Sequence, residues 1–580
     1  MTGPNDHARV GARTGYALLV LALIAGVTFC TRELTDETAL SFHGDMPRHM
    51  MNGVFLWDLL SSGALRSVDD AMAYAREYYV RYPALSLGHH PPLLAVLLVP
   101  FYAVFGVSVF SARLAIVVCI VVTIAYLFSL ARRIYGPTVA GWTALLFAVQ
   151  PFIVPFGQQV MTEALELAIV LAAVDALLRF CRSERTLHYG VFVVLAVASL
   201  YAKQLAALLF PLFAGTLAVR LPSARLLRAD VVTWTAVGVL LSIPAVVGTI
   251  LLSPYNVEWI LNALMAAAGD LGDGFRRPSI VAGATSGGIA MITPLLASLA
   301  SVTELVGPQT TPAILLAMLG GVVSAVMQRD ARIIFSLAWL SLVIGSVAML
   351  IGSHEASRYA VLAVPAYCLC AASLAADNRR PAARRIGLAL LVAVVVWDGR
   401  LAARVRPTGG GGYETLAAYA VNRTDSPTVL YSGSVDTGYF VFFGRKHAGA
   451  HRPIIMRADK MLTTSMMATL DAEEHIERPS DIYQLLERFG TRLVVIEDRA
   501  TGARALDWLR TELQGDRFVE RMRSPITTQD RRLAGVDLVA YEYLAATPPA
   551  TDAVIDTAIP LIGRDIRVKL SDLMGPGGTH

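Results

Sequence analysis

Apolar runs of membrane-spanning length recur along this chain, and that recurrence limits its fold more than any other feature. A helix crossing the hydrocarbon core of a bilayer needs roughly 20 predominantly apolar residues. Runs near that length cover residues 15–31, 109–131, 138–156, 162–180, 187–202, 204–219, 231–251, 312–327, 332–352, 358–376 and 385–400. In lipid every backbone N–H and C=O must be satisfied within the protein, so these runs are expected as helices. Composition agrees: 55% of the 580 residues are hydrophobic and 16% charged, where soluble domains carry about 25% charge. A mainly α, polytopic membrane protein follows.

Arginine sets the expected topology. Arg132/Arg133, Arg179/Arg182/Arg185, Arg220/Arg225/Arg228, Arg329/Arg332 and Arg379/Arg380/Arg384/Arg385 fall in short connections between runs. Placing these in the cytoplasm satisfies the positive-inside rule at each one. The same placement accounts for the net charge of +4 without nucleic acid as a partner. The first run follows Arg9 and Arg13, has no small-residue cleavage site, and carries bulky Phe29 before Cys30. It is read as an uncleaved helix with a cytoplasmic N-terminus. Two shorter stretches, 92–107 and 288–303, would break the alternation and are read as interfacial or re-entrant helices. About eleven spans result, or thirteen if both cross.

This reading gives a transmembrane domain over residues 1–400, with a long outer loop at 32–91 and a second at 252–311. Residues 401–412 contain Gly409–Gly412 and are expected to form a flexible linker. Residues 413–580 alternate strand-like runs (Thr428–Tyr431, Leu493–Glu497, Val536–Tyr543) with helical ones (Ser480–Phe489, Arg504–Leu513), the pattern of a small extracytoplasmic α/β domain. All five cysteines (Cys30, Cys119, Cys181, Cys368, Cys370) precede residue 400. The soluble part therefore has no disulfide framework and no cysteine metal site. Asp436, Arg445, His447 and His451 read as a binding surface without a defined site.

Ionisable residues at or just outside membrane depth are functional candidates. The first outer loop carries Asp36-Glu37, then His43-Gly44-Asp45-Met46-Pro47-Arg48-His49, and later Gly88-His89-His90-Pro91-Pro92-Leu93. Met161-Thr162-Glu163, Lys203 and His354…Arg358-Tyr359 follow at or near the ends of later runs. Simple solvation is the competing account of Asp36 and Glu37, and ion pairing or snorkelling that of Glu163 and Lys203.

Taken in order, these segments resemble the GT-C fold glycosyltransferases of the protein O-mannosyltransferase and aminoarabinose-transferase-like type. Asp45-x-x-Arg48-His49 is similar to the family's D-E-x-R-Y, and His90-Pro91-Pro92-Leu93…Phe105-Gly106…Arg113-Leu114 to its K-P-P-L…F-G…R-L. Arg132-Arg133-x-x-Gly136 resembles the cytoplasmic turn that follows. Met161-Thr162-Glu163 resembles the second acidic site, Lys203 the lysine of a later segment, and His354…Arg358-Tyr359…Pro365 the H-x-x-x-R-Y…P helix. The resemblance covers about residues 15–400. Met46, His49 and His90 depart from it, replacing an acid, a Tyr and a Lys.

The resemblance implies a glycosyltransferase that moves a hexose or pentose from a polyprenyl-phosphate donor to an acceptor hydroxyl, with inversion. The acceptor could be glycan, lipid or protein. The expected location is the outer face of a bacterial-type inner (plasma) membrane. Asp45 is then the expected base and Glu163 the second catalytic carboxylate. Arg48, His90, Lys203 and Arg358 are expected on the donor phosphate, where cations stabilise the charge that develops as the phosphate leaves. Asp36, Glu37, His49, His89 and His354 are the alternative bases or acceptor contacts. A divalent metal suits the carboxylate and imidazole inventory, although no spacing specifies one. The competing function is a polytopic transporter or flippase of lipid-linked saccharides, whose charges would line a path near the bilayer midplane.

Overall fold

The computed structural model describes residues 4–36, 40–41, 45–86, 88–252, 306–350, 354–376, 381–406, 409–423, 426–449, 453–463, 474–528, 531, 534–559 and 564–574. The expected helix at 288–303 and most of the second outer loop lie outside these residues. The chain divides into two compact units, residues 1–32 with 116–405 and residues 33–115 with 406–580.

The first unit is helical. Five helical segments among the described residues are long and apolar enough to cross a membrane: Val10–Thr31, Val109–Tyr135, Ala229–Leu252, Arg358–Ala375 and Pro381–Arg404. Shorter apolar helices, among them Pro137–Ala148, Thr186–Ala202, Pro312–Met327 and Ile333–Ala348, accompany them. The chain is an integral membrane protein. The run expected at 138–156 is broken after Ala148, and a five-residue helix, Val154–Gln158, follows it. Pro151 explains the break, because it disfavours helical geometry at Gln150 before it. Where the first helix, Pro4–Thr31, meets Pro137–Ala148, glycine sets the spacing. A Cβ at Gly141 would sit 2.7 Å from the Gly15 carbonyl oxygen.

One buried carboxylate in this unit, Asp175, is saturated. Asp175, 1% exposed, accepts from Arg133 Nε at 2.7 Å, Ser129 Oγ at 2.9 Å and Arg179 Nε at 2.6 Å. Burial of a charge is tolerable only with such partners.

The second unit is α/β. Strands β1 (Leu40–Ser41), β2 (Gly409–Gly411), β3 (Thr428–Ser432), β4 (Ile454–Arg457), β5 (Leu493–Glu497), β6 (Phe518–Pro525), β7 (Thr527–Thr528), β8 (Asp537–Tyr543), β9 (Val554–Ile559) and β10 (Arg564–Lys569) build it. The main sheet has the order β4-β3-β5-β8-β6. Its first three strands are parallel, whereas β8 runs antiparallel to β5 and to β6. Every residue of β3, β4 and β5 is buried, as expected for strands covered on both faces. The helices Ser480–Arg488 and Arg504–Glu512 contribute Ile482, Leu486, Leu506 and Leu509 to its core. This α/β content matches the sequence expectation.

The glycine run expected as a flexible joint is instead ordered. Gly409–Gly411 forms β2, paired with β1 on one side and β7 on the other. A Cβ at Gly409 would fall 1.5 Å from the Leu40 carbonyl oxygen, so glycine is required by close approach.

The first outer loop supplies two helices to this unit, Asp45–Ser62 and Val68–Arg81. Leu93–Phe105, in the stretch expected as interfacial, packs on the first of them at Gly53. Arg445, expected on a surface, is 13% exposed by side chain and donates to Asp58 at 2.7 and 2.5 Å. Tyr78 Oη donates to the same carboxylate at 2.6 Å. Asp436, also expected outside, is 5% exposed and caps the helix Tyr439–His447, accepting from Gly438 N and Tyr439 N. His447 lies 2.6 Å from Glu414, and His451 lies outside the described residues.

Removing one partner of a buried ion pair strands the other charge. Asp58→Ala is therefore expected to destabilise the full chain by about 3–5 kcal/mol, read by chemical denaturation in detergent. The pair Asp58→Leu with Arg445→Met is expected to recover most of that loss. Equal loss in the single and double variants would show that packing, not charge, governs the contact.

Candidate active site

Asp45 opens the helix Asp45–Ser62, where a carboxylate complements the exposed N–H groups of the first turn. One turn brings Arg48 and His49 beside it. His90 follows the loop residue Gly88, whose positive φ of 85° suits glycine. His90 Nε2 stands 3.7 Å from Asp45 Oδ1. The His49 ring lies 4.4 Å from the His90 ring between centroids, and His89 lies 4.8 Å from it on a tilted-edge contact. Four of the expected residues thus form one cluster of a carboxylate and three imidazoles. Burial holds the His89 pKa below its ordinary value, and the positive charge of Arg48 lowers it further against the pull of Asp45.

The C-terminal segment adds cations that sequence reasoning missed. Arg457, at the end of β4, is 3% exposed, donates to Asp459 from Nε at 2.9 Å, and holds the Pro83 carbonyl from Nη1 at 3.0 Å. Lys460 is 5% exposed. It donates to the Tyr79 hydroxyl and lies 4.7 Å from the centre of that ring. Arg48 acts electrostatically on both Tyr79 and Lys460. A pattern of apolar strand ends followed by Arg457-Ala458-Asp459-Lys460 gave no signal of this, since the neighbours come from residues 48–83.

Asp36 occupies a turn that Arg113 anchors by donating to its carbonyl at 2.6 Å and to that of Glu33. Glu37 lies outside the described residues, and only the backbone of His354 is described, at the start of the 3-10 helix His354–Ala363.

The first unit holds the remaining candidates. Glu163 lies in the first turn of Thr162–Ser183 and is 1% exposed. Lys203, just beyond the helix Thr186–Ala202, donates from Nζ to Glu163 Oε1 at 2.7 Å. Arg358 donates to the Tyr359 hydroxyl at 2.8 Å. Lys203 and Arg358 each stand 4.8 Å from the centre of the Tyr359 ring, within cation–π range. Glu166, one turn after Glu163 and also 1% exposed, belongs to this group although no sequence motif marked it. Among the described residues no group of three or more His, Cys, Asp or Glu is arranged to hold a metal ion.

Both clusters set carboxylates beside cations, an arrangement able to accept a proton and to stabilise a nearby anion. Residues 89–248 match the family described as Dolichyl-phosphate-mannose-protein mannosyltransferase. No curated protein matches the chain. Among solved structures, the Archaeoglobus fulgidus oligosaccharyltransferase in complex with Zn and sulfate superimposes with a TM-score of 0.50 at 13% identity, covering 83% of this chain and 68% of that one. ArnT from Cupriavidus metallidurans in the apo state gives 0.49 at 13% identity over 93% and 100% of the two chains. The same protein bound to undecaprenyl phosphate gives 0.47 at 13%, over 92% and 99%.

Lys460 gives the second unit a measurable pH signature. Burial, with Arg457 beside it, lowers its pKa from 10.5 to about 7. Between those values the unfolded chain binds more protons than the folded one, so this group's contribution to stability rises with pH. The slope is about 1.4 kcal/mol per pH unit. Lys460→Met is expected to flatten the dependence between about pH 7 and 9.5 and to stabilise most below neutrality, as read by denaturation across pH. A parallel curve for the variant would show that the buried ammonium does not set the slope. In fold the chain is similar to the GT-C glycosyltransferases, and over residues 89–248 it matches the family described as Dolichyl-phosphate-mannose-protein mannosyltransferase.

Proposed function

We propose that the chain transfers a sugar from a polyprenyl-phosphate-linked donor to an acceptor hydroxyl at the outer face of a bacterial-type inner membrane, with inversion. The observation that carries this reading is the family match over residues 89–248, a family described by its dolichyl-phosphate-mannose donor. The matched segment contains His90, Glu163 and Lys203. In this topology the arginine-bearing connections face the cytoplasm, and residues beyond about 401 face outward.

The acceptor oxygen attacks the anomeric carbon while the bond from that carbon to the phosphate oxygen breaks. The departing polyprenyl phosphate keeps the bonding electrons. Asp45 takes the acceptor proton, on the face opposite the leaving group, as the inverting geometry requires. Arg48 and His90, beside Asp45, are suited to the phosphate as charge-assisted donors. Lys203 and Arg358 offer the same chemistry beside Glu163. His49, His89, Asp36, Glu37 and His354 are the alternative bases or acceptor contacts. The related oligosaccharyltransferase was solved with Zn and sulfate. Among the described residues here, no group of three or more His, Cys, Asp or Glu is arranged to hold a metal ion.

A transporter or flippase of lipid-linked saccharides is the competing function. Purified full-length protein in liposomes, supplied with a polyprenyl-phosphate sugar and a bacterial cell-envelope extract as the source of acceptor hydroxyls, is expected to release polyprenyl phosphate. Asp45→Asn is expected to lower that turnover by about 10²–10⁴-fold with an unchanged thermal midpoint. Movement of intact donor across the bilayer without bond cleavage would establish transport. Full turnover in the variant would move the base to one of the alternatives.

A further inference from the structure

Glu163 and Glu166 lie three residues apart on Thr162–Ser183, so their side chains share one helix face. Each is 1% exposed. The pair differs from Asp175 on the same helix, whose two oxygens receive three hydrogen bonds. Glu163 Oε1 accepts from Lys203, but Glu163 Oε2 and Glu166 Oε1 are buried without a hydrogen-bond partner. The nearby cations are already engaged: Lys203 and Arg358 lie against Tyr359, and Lys203 donates to Glu163.

Orphaned carboxylate oxygens in a low-dielectric interior are costly. Two of them on successive turns call for a ligand with at least two hydrogen-bond donors. Neighbouring hydroxyls of a sugar ring meet that requirement, since each supplies one O–H to a carboxylate oxygen. Two carboxylates alone fall short of the ligand number a divalent cation takes.

We propose that Glu166, with the second oxygen of Glu163, binds neighbouring hydroxyls of the saccharide and so sets which sugar is accepted. This rests on the glycosyltransferase reading above. Glu166 is here a specificity-determining residue, distinct from the base and from the cations. A site built to accept hydrogen bonds rejects an analogue lacking the donor, because its buried groups are then left unpaired.

The test uses full-length protein in liposomes with a series of polyprenyl-phosphate hexoses and their monodeoxy analogues. Sugar-free polyprenyl phosphate serves as the binding control. Glu166→Gln is expected to lower kcat/KM for the preferred hexose by about tenfold or more and to compress the ratio between that hexose and its deoxy analogue. Affinity for sugar-free polyprenyl phosphate should stay unchanged. A rise confined to the donor KM identifies the donor sugar as the ligand, and one confined to the acceptor KM identifies an acceptor sugar. Glu166→Leu removes the orphan oxygen. It is expected to raise the thermal midpoint while losing the same discrimination, which guards against a Gln variant that folds poorly.

Unchanged discrimination in both variants overturns the inference. So does a wild-type thermal midpoint that rises with Mg²⁺ or Mn²⁺ and falls with chelator, where the Glu166 variants show neither, since that result assigns the carboxylates to a cation. A wild-type protein that turns over no member of the series sinks the glycosyltransferase reading and this inference with it. Turnover by wild type with no effect of Glu166 sinks only the inference.

Discussion

A charge taken out of water needs an opposite charge or a full set of hydrogen bonds, and the pairing of Asp58 with Arg445 follows from that requirement. Arg445 finds Asp58 at a sequence separation of 387 residues. Tyr78 completes the carboxylate's hydrogen bonding. Neither partner could be buried alone. The pairing commits the helices of the first outer loop to the same compact unit as the C-terminal sheet. Arg457 extends the commitment by holding the Pro83 carbonyl. In the helical unit the same rule closes Asp175 with Arg133, Arg179 and Ser129.

Against that background, incompletely matched groups stand out. Glu497, at the end of β5, is fully buried, yet it accepts from Ser434 N and Oγ, Val435 N, Asp436 N and the hydroxyls of Tyr413 and Tyr431. Burial pushes its pKa up, but its partners leave nothing for a ligand to add. It is an organising group for the 434–436 turn. Glu163 and Glu166 are equally buried and lack that saturation. The contrast separates carboxylates that shape the backbone from carboxylates that await a partner.

How far this was legible in the sequence depends on the length scale of each signal. Membrane helices are local: an apolar run such as 109–131 announces itself, and the structure continues it as Val109–Tyr135. The strands β3, β5 and β8 were legible for the same reason, each a short β-branched or aromatic run bounded by polar residues. Asp45, His49, His89 and His90 were singled out by their place in the first outer loop and by family resemblance, but their meeting in one cluster is seen only in the structure. What failed was non-local. The glycines at 409–411 read as a hinge because their partners, Leu40 and Thr528, are far away in sequence. Asp436 and Arg445 read as surface because charge alone carries no record of a buried partner. Glu166 was overlooked among four other charges of its helix, because its unpartnered oxygen shows only in the structure.

The second unit is assembled from two stretches of chain, 33–115 and 406–580, and this has a consequence for biosynthesis. When the first outer loop leaves the ribosome, its partner strands do not yet exist. Asp58 must wait in an unfolded or half-folded loop until the intervening membrane helices have been inserted and Arg445 has been made. A nascent chain that stalls within the last helices therefore presents Leu40 without its strand partner and Val80 without its core. Closure of this core therefore waits on the far end of the chain, whatever the order in which the membrane helices insert.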